Sequence, residues 1–194
     1  MKRSLGARTL LYPTPAVVVG SYDRNGRANA ATVAWAGICC SAPPCVAISL
    51  RKATYSYGCI MDRRAFTLNL PSEDLVEKVD YLGMASGRDE DKLSVAGLTP
   101  IKSTLVDAPY IREFPLSLEC KVLHVTEIGL HTQFIGEILD VKAEDSVLDE
   151  DGHTSIGRVR PFLYAPDDRS YYRIGGLMAR GFEVGDAVRA PGGD

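Results

Sequence analysis

Asp23-Arg24-Asn25-Gly26 is the segment that most constrains how this chain can fold. An Asn-Gly pair flanked by apolar runs is a strong hairpin signal, because the tight turn needs positive φ. The run before it, residues 16–22, is apolar and β-branched, and Pro13 and Pro15 exclude a helix there. The run after it, residues 27–35, is small and alternating and reads as the return strand.

The same punctuation recurs down the chain. Pro43-Pro44 precedes a buried strand at 45–50, and Pro71 stops another at 65–70. Residues 116–125 and 134–141 are the long strands of the second half, with Gly129 in their connection. In the first of these, Leu116, Leu118, Cys120 and Val122 alternate with Ser117, Glu119 and Lys121. A final extended pair, 162–164 and 170–174, brackets Asp167-Asp168. One good helix is expected, capped by Ser72 and started by Glu73 and Asp74, with Leu75, Val76, Val79 and Leu82 at helical spacing. Shorter helices are expected at 54–62 and 89–95, and irregular or edge structure at 98–115. There is no internal repeat or linker. Residues 1–194 therefore read as one mainly β domain, a closed or nearly closed antiparallel barrel with a few flanking helices.

Charge and composition remove several function classes. The 22 Lys+Arg against 25 Asp+Glu leave a net charge of −3, not the basic excess of a nucleic-acid binder. No apolar run approaches the ~18 residues that span a bilayer, so no membrane span is expected. Leu10-Leu11 is too short for a signal-peptide core, and a cytoplasmic protein is expected. Five cysteines, an odd number without CxxC, read as buried reduced thiols. His124, His131 and His153 do not form a zinc spacing. Walker A, GxGxxG and GxSxG motifs are absent. No catalytic residue and no metal ligand is assigned.

Three segments carry candidate chemistry. Asn29, Ala31, Thr32, Val33, Ala34 and Trp35 form a small-residue stretch that either packs tightly or admits a flat ligand to the backbone. Ser49, Leu50, Arg51, Thr54, Tyr55 and Ser56 combine charge and hydroxyls before a helix start. That is either an ordinary solvated loop or an anion site. Ser86 and Lys92 lie in a glycine-bounded charged loop after the long helix, which is either solvated or reaches an anion. His131 opens a strand and reads as a structural histidine.

Taken in order, these segments resemble the flavin reductase-like family of FMN-binding split barrels. The resemblance is carried by the DRNG turn, residues 29–35, Ser41-Ala42-Pro43-Pro44, the 51–56 loop, residues 65–71, residues 86–92 and residues 131–138. It implies a six-stranded antiparallel Greek-key split barrel with FMN at a homodimer interface. Asn29 and Ala31 to Trp35 would then line the isoalloxazine. Ser49, Leu50, Arg51, Thr54, Tyr55 and Ser56 would surround the ribityl phosphate, and Ser86 and Lys92 would complete the site. His131 and Tyr164 would approach the flavin from a partner subunit. Thr32-Val33-Ala34-Trp35 stands where NAD(P)H-dependent members often carry a Thr-Ser-Phe-Phe-like segment, and the bulky Trp35 would cover or gate the flavin. The resemblance thus implies bound FMN that trades electrons with a redox partner protein. An NAD(P)H-dependent flavin or ferric reductase and a non-redox ligand-binding barrel are the alternatives.

Overall fold

In the computed structural model, which describes residues 1–188, the DRNG segment is the expected hairpin turn. Gly26 takes φ +81°, and its N–H donates to Asp23 O at 3.0 Å. The turn joins β2 (Val17–Tyr22) to β3 (Ala28–Val33), after the two-residue β1 (Thr14–Pro15). The chain continues through β4 (Ala36–Ser41), β5 (Pro44–Arg51), α1 (Tyr55–Arg63), β6 (Ala65–Leu70), α2 (Val76–Met84) and α3 (Lys92–Val95). The second half contains β7 (Pro100–Lys102), β8 (Pro109–Ile111), β9 (Leu116–Ile128), β10 (His131–Ala143), α4 (Ile156–Val159), β11 (Phe162–Ala165) and β12 (Ser170–Arg173).

The main sheet has the order β3-β2-β6-β9-β10-β5-β4, and every adjacent pair is antiparallel. Its edge strands, β3 and β4, do not pair with each other, which leaves the barrel split. Ala34-Trp35 links the two edges, and the Ser49 N–H donates to Trp35 O at 2.9 Å. This sheet carries seven strands where six were expected. The extra one, β4, holds Gly37, Cys39 and Cys40 and exposes most of its residues, so it lacks the buried alternation that reveals a strand.

β2 reads as continuously apolar because both its faces are buried. Val17 and Val19 join the barrel core with Ile48, Phe66, Leu118 and Phe134. Val18 joins a second core with Ala30, Val79, Leu82 and Ile111, where α2 covers the outside of the sheet. Asn69, fully buried on β6, holds these layers together. Its amide donates to Val18 O (2.9 Å) and Thr67 Oγ1 (3.0 Å), and its carbonyl accepts from the Ile111 N–H (3.0 Å) and Ser117 Oγ (2.8 Å).

Two expectations need correction. Residues 73–75 form a 3-10 turn before α2, and Ser72 makes no side-chain cap. The carboxylate of Glu73 is held instead by Arg173 at 2.8 Å. The cysteines are only partly buried: Cys45, Cys59 and Cys120 are inside, whereas Cys39 and Cys40 are exposed on the edge strand.

Gly20 on β2 marks a close approach. A Cβ there would lie 2.2 Å from Pro109 O and 2.4 Å from Thr67 Oγ1. Gly20→Ala is expected to cost about 1–3 kcal/mol of stability, as overpacking does. Urea unfolding checks this, and an unchanged midpoint would show that β8 moves aside freely.

Candidate functional site

Thr54 precedes α1 without capping it. Its hydroxyl donates back to Arg51 O at 2.8 Å. The first N–H groups of α1 therefore lack a side-chain partner at their cap position. Residues at this end of α1 border a cavity of about 300 Å³ lined by Ala31, Thr32, Leu50, Thr54, Tyr55, Ser56, Ser86, Arg88 and Lys92, among others. Lys92 is buried, and its Nζ donates to Leu82 O at 2.9 Å. Burial pushes its ammonium down to about 8, against the opposing pull of Glu90 and Cys59. Two cations, five hydroxyl-bearing side chains and a helix N-terminus around one cavity suit a phosphate group.

The loop carrying Ser86 and Arg88 is fixed to the hairpin and to α1 by polar contacts. Arg88 donates to Ala53 O at 2.8 Å, and its N–H donates to Ser86 Oγ at 3.2 Å. The guanidinium groups of Arg27 and Arg88 lie 5.7 and 5.8 Å from the Tyr55 ring centroid. Arg27 also donates to Gly87 O. Gly87 is confined: a Cβ would fall 2.3 Å from Asn29 Oδ1 and 2.7 Å from Tyr55 Cδ1. Asn29 donates to Ser56 Oγ at 2.9 Å, while its buried Oδ1 has no partner.

Asp23 organises the base of this region. Its Oδ1 accepts from the N–H groups of Asn25 and Arg27, and its Oδ2 accepts from the Tyr55 hydroxyl at 2.8 Å. Burial raises its pKa, but these hydrogen bonds and the Arg27 charge outweigh that, so the carboxyl sits below its usual 3.8. A depressed carboxyl contributes stability above its unfolded pKa and loses it as pH falls through the folded one. Asp23→Asn is therefore expected to lessen the loss of stability seen on acidification below 3.8. Thermal unfolding at a series of acidic pH values checks it, and identical acid profiles would count against the assignment.

A second cavity, of about 520 Å³, is bordered by the last two residues of the 31–35 segment. Ala34, Trp35, Gly37, Cys39, Ser49 and the N-terminal Arg8, Leu10 and Leu11 contribute to its walls. Its lining is more apolar than that of the first, and Trp35 offers a flat surface.

The site residues expected from sequence are thus divided. Ala31, Thr32, Leu50, Thr54, Tyr55, Ser56, Ser86 and Lys92 meet at the first cavity, and Ala34, Trp35 and Ser49 at the second. Asn29 supports Ser56 from behind. The Val33 side chain is in the barrel core. Arg51 is exposed, opposite His131 in the β5–β10 register, and lines neither cavity. Tyr164 borders a separate cavity with Tyr12 and Tyr172. Arg27 and the N-terminal segment did not emerge from sequence reasoning. Arg27 acts on Gly87, sixty residues away, which no local pattern records.

Residues 8–175 match the family described as the flavin reductase like domain. The flavoredoxin of Desulfovibrio vulgaris (Miyazaki F) is 53% identical, with a TM-score of 0.91 over 95% of this chain and 100% of its own. A flavoredoxin from Methanosarcina acetivorans has the same TM-score at 27% identity, covering 97% and 99% of the two chains. An FMN-binding protein from Thermus thermophilus superposes with a TM-score of 0.79 at 25% identity, over 92% and 100%. A split antiparallel barrel, a cation- and hydroxyl-lined cavity with a larger, more apolar one, and a match that spans most of the sequence lead to one conclusion: this chain belongs to the flavin reductase-like domain family.

Proposed function

We propose that this protein is an FMN-binding electron carrier of flavoredoxin type, acting as one domain over residues 1–194, of which 189–194 lie outside the described residues. The observation that carries the reading is the 31–35 segment. Its Ala31 and Thr32 border a cavity with cations and hydroxyls suited to a phosphate, and its Ala34 and Trp35 border a larger, more apolar cavity suited to a planar ring. Similarity to two chains named flavoredoxin and one named FMN-binding protein supports it.

Bound FMN would supply the redox chemistry, accepting and releasing electrons. The chain's own residues supply placement. Lys92 and Arg88, with the hydroxyls of Thr54, Ser56 and Ser86, hold the phosphate. Backbone groups of Ala31, Thr32, Val33 and Ala34 lie along the ring, and Leu50 and Tyr55 border the ribityl chain. Trp35 covers the ring cavity and restricts approach by a nicotinamide, which favours a protein redox partner over NAD(P)H. Ile128, Leu130, Leu139 and Val141, exposed on and between β9 and β10, favour a homodimer. His131, at the start of β10, and Tyr164 are placed on the partner's side of the flavin. Free thiols favour a cytoplasmic setting. No helix among the described residues is long and apolar enough to cross a membrane.

Flavin-free protein mixed with FMN is expected to take it up, with quenching of flavin fluorescence, and to oxidise NADH slowly. Failure to retain FMN would reject the reading. Rapid NADH oxidation with release of free reduced flavin would convert it to a flavin reductase. Arg88→Ala is expected to raise the FMN Kd more than tenfold, a loss of about 1.5–3 kcal/mol for a charged hydrogen bond. Arg51→Ala, at an exposed site, is expected to change it less. The reverse order would move the phosphate toward β5.

A further inference from the structure

The β4–β5 hairpin brings two thiols face to face. Cys40 and Cys45 are directly opposed in its register, next to the closing pair Ser41 and Pro44. A β-bulge between Ile38 and Cys40 takes Cys39 out of that pairing. Opposed antiparallel residues lie about 4.5–5.5 Å apart at Cα, inside the range that a disulfide bridges. The two thiols differ in access: Cys40 is exposed on the edge strand, whereas Cys45 is buried. Burial pushes the Cys45 thiol up, and the charges of Cys40, Cys39 and Glu137 and a hydrogen bond with Cys40 add to the shift.

We propose that Cys40 and Cys45 form a dithiol pair that reduces low-molecular-weight disulfides and closes into an intramolecular disulfide. The Cys40 thiolate attacks one sulfur of RS–SR, breaking that S–S bond, forming Cys40–S–SR and releasing RS⁻, which takes up a proton. Cys45 then loses its proton and attacks the Cys40 sulfur, expelling the second RS⁻ as RSH. Two protein S–H groups are oxidised and one disulfide becomes two thiols. Cys39, next to Cys40 in the chain, lines the cavity that Trp35 also lines, so the resulting staple lies one residue from that wall.

The test treats the full, pre-reduced chain with glutathione disulfide, removes the reagent, and counts thiols after denaturation. Of the five cysteines, two are expected to disappear from the count, without bound glutathione and without a covalent dimer on a non-reducing gel. Cys39→Ser should lose two as well, and Cys40→Ser should lose none. Cys45→Ala should stop at the mixed disulfide on Cys40. Because Cys40 is exposed, its variant is expected to fold even if that of buried Cys45 does not. Retention of all five thiols, glutathione held on the wild-type chain, a covalent dimer, or a two-thiol loss that survives in Cys40→Ser would each overturn the proposal.

Discussion

Replacing Lys92 with methionine is expected to raise the Kd for FMN by about 10–150-fold, the loss of roughly 1.5–3 kcal/mol from a charge-assisted hydrogen bond. It is also expected to remove one limb of the pH dependence. In the flavin-free protein, burial holds the Lys92 ammonium at about 8, below its ordinary 10.5. A phosphate dianion beside it favours the charged form and raises that pKa. Binding therefore takes up a proton above about pH 8, and affinity should fall as pH rises through that value. The flavin-free fold shows the opposite sign. Its unfolded chain binds more protons between about 8 and 10.5, so its stability should rise with pH across that window. Methionine keeps the aliphatic length but has no proton to lose. Only the phosphate's own second ionisation near ~6 should then shape the curve. Fluorescence titrations across pH decide the matter. An alkaline limb of equal slope in both proteins would show that another group titrates.

Asn69→Ala is expected to be the most damaging single change to the fold, at about 3–5 kcal/mol, a large share of a typical domain's 5–15. The side chain makes four hydrogen bonds while fully buried. Truncation would leave Val18 O and the Ile111 N–H without these partners in a dry interior, along with the Thr67 and Ser117 hydroxyls. An unsatisfied buried group costs more than the bond it made was worth. It would also loosen β8, whose Ile111 lies in the second core. Urea unfolding checks the figure. A loss below about 1 kcal/mol would mean that water fills the gap and restores the bonds.

The two-faced strand β2, the hairpin turn after it and the long β9–β10 pair were legible because burial and turn chemistry are written locally. Val18 alternates with Val17 and Val19, and Asn25-Gly26 needs positive φ at the glycine. β4 was not legible, since an exposed edge strand with Gly37 and two cysteines carries no alternation. Ser72 looked like a cap, yet the first turn tightened to a 3-10 geometry, with Glu73 held by Arg173 from β12.

The site divides in the same way. Residue types alone left the 51–56 loop and the charges of 86–92 open between a solvated surface and an anion site, and the family resemblance turned that choice toward a phosphate. The sequence by itself therefore determined the class of fold and offered an anion site as one reading of its charged, hydroxyl-rich loops. Only the tertiary structure decided which cations reach it. The 86–88 loop docks on Tyr55 and brings Arg88 into the cavity, while the register of β5 against β10 leaves Arg51 exposed opposite His131. Charge is a property of the residue. Direction and desolvation are properties of the packing around it, and these decide which basic residues face the cavity.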